Sequence, residues 1–136
     1  MSKRYFVVIA LAYACAGAQA ADYANYSGQE LYRKFCASCH GVSAQGDGSI
    51  AKALKTPPSD LTLIARRYGG TFPAKRIEEL VDGRVKVDAH GTSAMPVWGE
   101  EFTRSEAGKP AAEKDTAAAI HKIVEYLRSV QRSGNR

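Results

Sequence analysis

The chain has 136 residues, which is enough for one ordinary domain and too few for two. Hydrophobic residues make up 45% and charged residues 24%, a balance that fits a globular protein and argues against a disordered one. The formal net charge of +5 comes from scattered lysines and arginines without a groove-reading motif, so it gives no support for nucleic-acid binding.

The start of the chain has the layout of a secretory signal peptide. Lys3 and Arg4 form a short positive head, an apolar run continues to about Ala16, and residues 18–20 (Ala-Gln-Ala) form a small-x-small cleavage site. The apolar run is too short to span a bilayer as a finished helix. No other segment approaches about 20 consecutive apolar residues, so the sequence predicts no further membrane span.

We therefore predict that residues 1–20 are a cleaved signal peptide and that residues 21–136 form one domain in the periplasm. Cleavage removes two basic residues and no acid, so it lowers the net charge by two. An uncleaved N-terminal anchor is the alternative. A lipoprotein modified at Cys15 is disfavoured because Ala12 and Tyr13 are poor lipobox residues.

A capping box predicts where the first helix begins, after a short leader over residues 21–26. In the Ser27–Glu30 segment, Ser-Gly-Gln-Glu, the serine and glutamate side chains can each satisfy a backbone donor at the start of a helix. Leu31 and Phe35 lie four apart and share one face of that helix. The helix leads directly into the Cys36–His40 segment.

The Cys36–His40 segment, Cys-Ala-Ser-Cys-His, has the spacing of a covalent haem attachment site. Residues three apart share a face of a helix, so Cys36 and Cys39 can reach the two vinyl groups on one edge of the porphyrin. His40 follows one turn after Cys36 and can point its imidazole onto the iron, where histidine is the usual proximal ligand. The sequence therefore predicts one covalent haem c, with Cys36 and Cys39 as anchors and His40 as an axial ligand.

Three other kinds of site share this cysteine spacing. A structural zinc site needs about four ligands, and only His90 and His121 remain as further histidines. A thioredoxin-like redox pair needs a βαβ context, and no segment alternates with period two for long enough to indicate a sheet. A disulfide between Cys36 and Cys39 leaves His40 unexplained.

The middle of the chain contains a loop and two short helices. Residues 41–58 are predicted to be a loop, because they contain a Gly-Asp-Gly turn and two consecutive prolines. Ser59 or Asp60 can cap a second helix, which two glycines after residue 68 would end. A third helix is predicted to have Pro73 at its first position and to end at Gly83.

The strongest helical pattern lies over about residues 111–132. Its apolar positions are spaced three and four apart, which places them on one face. They are Ala117, Ile120, Ile123, Val124, Leu127 and Val130. With no strand pattern elsewhere, the chain is predicted to be all-α.

Residues 84–108 are predicted to be irregular and to hold the second axial ligand. Met95 is the only methionine after the initiator, and Pro96 beside it suits a rigid loop. We predict that Met95 binds the iron on the face opposite His40. The alternatives are His90 as ligand, an open or water-bound position, and Met95 as ordinary core packing. His121 is expected to be a partly exposed helix residue.

The order of these elements resembles that of the bacterial class I c-type cytochromes. The resemblance is carried by the Cys36–His40 segment, the proline-bearing loop, the 94–99 segment Ala-Met-Pro-Val-Trp-Gly and the long last helix. It implies an all-α cytochrome c fold, in which the N- and C-terminal helices pack across each other around one covalently bound haem. The stretch over residues 101–110 is longer than in many family members, and we expect it to be a loop.

The resemblance also implies particular contacts. A carbonyl near Pro57 or Pro58 is expected to accept a hydrogen bond from the His40 ring and so increase its basicity. Trp98 is expected near the haem, with core packing as the alternative. Gly28 is expected where the terminal helices cross, with an ordinary helix-start glycine as the alternative.

These features predict an electron carrier rather than an enzyme. Histidine and thioether ligation fills both axial positions, leaves none for oxygen or peroxide, and raises the reduction potential. The predicted partners are redox proteins, such as a dehydrogenase donor and an oxidase or cytochrome acceptor. The alternatives are a c-haem peroxidase or gas-sensing module with a displaceable sixth ligand, and a tethered subunit of a larger dehydrogenase or oxidase complex.

Overall fold

The computed structural model describes residues 23–84, 95–105 and 112–132, so the predicted signal peptide and His90 lie outside the described residues. Within those ranges the protein is helical and has no strand, which confirms the all-α class. No helix in them is long and apolar enough to cross a membrane. The α-helices are α1 (Gly28–Phe35), α2 (Ala37–His40), α3 (Ile64–Arg67), α4 (Ala74–Asp82), α5 (Trp98–Ser105) and α6 (Ala112–Ser129), and 3-10 turns occur at Tyr23–Asn25, Ala51–Ala53 and Leu61–Leu63.

The first helix begins where the capping box predicts. The Glu30 N–H donates to Ser27 Oγ at 3.3 Å, and the Ser27 N–H donates to Glu30 Oε2 at 2.8 Å. Each side chain thus satisfies a backbone donor at the helix start. The preceding leader differs from the prediction, because residues 23–25 form a 3-10 turn and the Tyr23 side chain is buried in the core.

Helices α1 and α6 cross at close range, as the resemblance implies. A Cβ atom at Gly28 would overlap the carbonyl oxygen of Lys122 and lie 3.2 Å from Tyr126 Cβ. Glycine is therefore the residue that lets the two helix backbones approach this closely. Lys122 also ties the crossing to the leader, since its Nζ donates to the carbonyls of Ala24 at 2.7 Å and Tyr26 at 3.1 Å.

The core lies between α1, α4, α5 and α6. Its buried side chains include Leu31, Tyr32, Ile77, Val81, Phe102, Ala119, Ile120, Ile123, Val124 and Leu127. In α6 the buried positions recur at three and four residues, as the periodicity predicts. The prediction is wrong at Ala117, which is exposed; Thr116 is buried in its place, with its hydroxyl 3.2 Å from that of Thr103 in α5.

Capping residues determine where the two middle helices begin or end. Asp60, rather than Ser59, caps the turn that leads into α3, because its Oδ1 accepts from the Thr62 N–H at 2.9 Å. Gly83 ends α4 in the left-handed conformation, with a φ of 69°. The placement of Pro73 is wrong by one position: its ψ of 70° is non-helical, so it precedes α4 as the cap.

Helix α5 is the main departure from the prediction that residues 84–108 are irregular. Trp98 and Phe102 lie one turn apart and join an aromatic cluster, in which ring centroids of Phe102 and Phe35 are 4.8 Å apart and those of Phe102 and Tyr23 are 5.3 Å apart. The Trp98 and Phe35 rings are separated by 5.5 Å, as the core-packing alternative expects. Two inward apolar residues in an eight-residue helix are too few to show a helical period in the sequence.

Candidate haem site

Helices α1 and α2 bring Cys36, Cys39 and His40 onto one turn of backbone. The N–H groups of Cys39 and His40 both donate to the Cys36 carbonyl, at 3.2 and 2.9 Å. Both cysteines are free thiols, so the disulfide alternative is not formed. Within the described ranges no three His, Cys, Asp or Glu side chains come together as a metal site, and His90 lies outside those ranges.

The environment of Cys36 does not suit a thiol redox centre. Its side chain is only 7% exposed. Burial, with a smaller contribution from Cys39, raises the pKa of the Cys36 thiol to about 12. A thiol–disulfide exchange site needs a thiolate near neutral pH and therefore a lowered pKa. This cysteine instead fits a covalent anchor.

A backbone carbonyl orients the His40 ring. The Nδ1–H donates to the Ser59 carbonyl at 3.0 Å. This arrangement leaves Nε2 as the ring nitrogen that can bind a metal, and it increases the basicity of the ring. Burial lowers the pKa of His40 and outweighs the opposing effect of this hydrogen bond, so the neutral ligand form is favoured.

The acceptor is the residue after Pro58 rather than a proline. The resemblance implied a carbonyl near Pro57 or Pro58, and the structure places it at Ser59. A backbone carbonyl is common to every residue and has no residue-type signal. Only the position of the Ser59 carbonyl beside the His40 ring in the folded chain identifies it.

The glycine turn after His40 closes over α2. Gly46 N–H donates to the His40 carbonyl at 2.8 Å, and Gly48 N–H donates to the Cys39 carbonyl at 3.1 Å, so the turn satisfies carbonyls that α2 leaves unpaired. A Cβ at Gly48 would meet the Cys39 backbone carbon at 2.5 Å. Glycine is therefore required for backbone to lie this close to the attachment segment.

Tyr32 secures the same turn from inside the core. It is fully buried, and its hydroxyl donates to the Gly41 carbonyl at 2.7 Å. We expect Tyr32→Phe to lower the free energy of unfolding by about 1 kcal/mol, because a buried hydrogen bond is lost while the ring remains. Denaturant unfolding of the variant and of a Tyr126→Phe control measures this. Tyr126 packs on Tyr32, and its hydroxyl makes no hydrogen bond to the described residues, so equal losses in both variants would contradict the assignment.

Met95 is one of several large apolar side chains that the described part of the chain leaves exposed. Met95 lies three residues before α5 and is 37% exposed. The other large apolar side chains that are exposed in the described part of the chain are Tyr26, Val42, Ile50, Leu54 and Tyr68. All but Tyr26 fall between His40 and Met95 in the chain. Two free thiols on one turn and an imidazole held by its Nδ1 fit the chemistry of a c-type haem.

His121 has no place in this site. It is 63% exposed on α6, and its Nδ1 lies 2.8 Å from Glu78 Oε1 of α4. His121 is therefore an exposed helix residue, in agreement with the prediction from the sequence. The pair links two helices on the protein surface.

Known proteins are similar to this chain over most of its length. The family model described as cytochrome c oxidase, cbb3-type, subunit III matches residues 24–112. Cytochrome c-554(547) of Halothiobacillus neapolitanus is 40% identical over 52 residues, which are 37% of this chain. The match spans 57% of the length of that curated relative. No solved structure matches the chain.

The matched region runs from the buried leader to the start of α6, so it contains the attachment segment, Met95 and α5. The family match, the helical fold and the attachment segment all indicate a covalently bound haem. The chain therefore belongs to the family described as cytochrome c oxidase, cbb3-type, subunit III, and is a class I c-type cytochrome with covalently bound haem c.

Proposed function

We propose that this cytochrome carries single electrons in the periplasm on one haem c, anchored by Cys36 and Cys39 and ligated by His40 and Met95. The observation that supports it most directly is the helical turn that holds both thiols and His40, with the ring fixed on Ser59 at 3.0 Å. When bound, the haem supplies reversible ferric–ferrous chemistry.

The protein's own residues have binding and orienting roles. Cys36 and Cys39 would anchor the haem through thioether bonds. The Nε2 atom of His40 would bind the iron, while the Nδ1–H donates to the Ser59 carbonyl. Met95 supplies a soft thioether that favours ferrous iron and raises the reduction potential. No residue of the set is needed as a general acid or base, which fits a carrier rather than an enzyme.

The location and partners follow from the proposed export. Residues 1–20 are removed as a signal peptide, and residues 21–136 work as one domain between a dehydrogenase donor and an oxidase or cytochrome acceptor. The family description names an oxidase subunit, and the curated relative is itself a cytochrome, which supports redox proteins as the partner class. Sequencing the N-terminus of the exported protein checks the cleavage after Ala20.

Ligation by Met95 is testable by optical spectroscopy of the holoprotein, produced in a host with c-type maturation. The ferric wild type is expected to show the weak far-red charge-transfer band of thioether–iron ligation, and the ferrous form is expected not to bind carbon monoxide. We expect Met95→Ala to lose the band, to bind carbon monoxide and to have a lower reduction potential. Val97→Ala, two residues away in the same segment, is the control and should keep the band.

Two outcomes would contradict the proposal. A wild-type spectrum without the band and with a carbon monoxide shift would support the peroxidase or gas-sensing alternative. A Met95→Ala variant identical to the wild type would exclude Met95 as the ligand and leave His90 as the next candidate.

A further inference from the structure

The two residues that end the described chain reach back to the segment beside the His40 ring. Gln131 Nε2 donates to the Leu61 carbonyl at 2.8 Å, and the Ala65 N–H donates to Gln131 Oε1 at 2.9 Å. Both of these bonds join positions about seventy residues apart in the sequence. One amide side chain therefore satisfies a donor and an acceptor of the backbone that leads into α3.

Arg132 makes a second set of contacts to the same segment. Its Nη2 lies 2.7 Å from Asp60 Oδ2, its Nε donates to Thr62 Oγ1 at 2.8 Å, and its backbone N–H donates to the Thr62 carbonyl at 2.9 Å. Thr62 is only 4% exposed. Three bonds from one residue to a partly buried turn fix the geometry of that turn more firmly than a single surface ion pair would.

Asp60 transmits this geometry to the haem site. It follows Ser59 directly, and the Ser59 carbonyl accepts the His40 Nδ1–H at 3.0 Å. The Asp60 carboxylate also holds the Thr62 N–H, while the Asp60 carbonyl accepts from Arg67 Nη1 at 2.9 Å. The acceptor of the His40 hydrogen bond thus belongs to a turn that Arg132 contacts at Asp60 and Thr62.

We propose that Arg132, supported by Gln131, is a positioning residue of the haem site: through Asp60 it holds the Ser59 carbonyl on His40 and so sets the reduction potential. The inference rests on the proposed function, because it takes His40 as the iron ligand. In this proposal Arg132 acts on the electron-transfer centre through Asp60 and Ser59.

The expected direction follows from the hydrogen bond. A carbonyl held on Nδ1–H makes the imidazole a stronger donor, which favours ferric iron and lowers the potential. Loosening the turn should weaken this bond and raise the potential. Loss of the arginine charge alone acts in the opposite direction, because removing a positive charge near the haem favours ferric iron and lowers the potential. The sign of the shift therefore separates the two effects.

The test compares reduction potentials of the holoprotein variants Arg132→Gln and Arg132→Lys with Arg128→Gln as control. Arg128 and Arg132 have similar side-chain exposure, 51% and 53%, but Arg128 pairs with Glu125 within α6 and makes no hydrogen bond to the 59–65 segment in the described residues. We expect Arg132→Lys, which keeps the charge, to raise the ferrous-to-ferric ratio roughly threefold at the wild-type midpoint, a shift of about 30 mV at ~59 mV per tenfold for a one-electron couple. Arg132→Gln should raise it by less, because its lost charge acts in the opposite direction. Arg128→Gln should not raise it.

A second readout follows the hydrogen bond itself. Exchange of the His40 ring N–H with solvent, measured by NMR on the ferrous protein, should be faster in both Arg132 variants and unchanged in Arg128→Gln. An unchanged or lowered potential together with unchanged ring exchange would overturn the inference. If Arg132→Gln fails to fold, Arg132→Lys, which keeps the charge, decides the question alone. A wild type without the thioether band would refute the proposed Met95 ligation, while the ring exchange would still test the role of Arg132.

Discussion

Replacing both Cys36 and Cys39 by alanine is expected to abolish covalent retention of haem. The two thiols lie on one turn and are not joined to each other, so each is available for a thioether bond. Without these bonds the haem is held by axial ligands and apolar contacts alone. Acidified organic solvent, which extracts non-covalent haem, should release the haem from the variant and leave the wild-type haem on the protein.

A matched control lies between the two cysteines. Ser38 is exposed on the same turn, so Ser38→Ala should keep the haem through denaturing electrophoresis and extraction. The single variants Cys36→Ala and Cys39→Ala should each keep one thioether bond. Their ferrous absorption spectra should differ from that of the wild type. Haem that stays on the double variant after extraction would show that these cysteines are not the anchors.

Gly28→Ala is expected to destabilise the protein by about 2 kcal/mol, as for overpacking at a tightly packed site. The added methyl group would overlap the Lys122 carbonyl, which is backbone and cannot rotate away. Helix propensity acts in the opposite direction, since alanine in place of glycine stabilises a helix by at most about 1 kcal/mol. The sign of the change therefore shows which effect is larger. Denaturant unfolding of the holoprotein measures it.

Gln29→Ala is the matched control for this prediction. Gln29 is the next residue of α1 and its side chain is exposed, so the same new residue meets no partner helix. We expect its free energy of unfolding to be unchanged or slightly raised. If Gly28→Ala were as stable as this control, the close crossing of α1 and α6 would be refuted.

Local sequence patterns predicted the elements that local physics specifies. The capping box at Ser27, the glycine stop at Gly83 and the three-and-four spacing in α6 each depend on neighbours within one or two turns. The attachment segment belongs to the same class, because its cysteine spacing matches one turn of a helix. These features can therefore be predicted from the sequence and are present in the structure.

Helix α5 shows where such patterns were insufficient. Its inward apolar side chains are Phe102, which is buried, and Trp98, which is partly buried, and they pack on Phe35 and Tyr23 from the N-terminal part of the chain. The stability of this helix comes from that aromatic packing rather than from a periodic stripe of its own. The burial of Tyr23 in the supposed leader has the same cause.

The sequence by itself determined the all-α class, the position of the haem attachment segment and the two terminal helices, because spacing along one helix is a local property. Only the tertiary structure decided that Ser59 supplies the carbonyl on His40 and that Arg132 holds Asp60 beside it. The reason is physical: these bonds join a backbone carbonyl and surface side chains across long sequence separations. They depend on the packing of distant segments and not on neighbours within one or two helical turns.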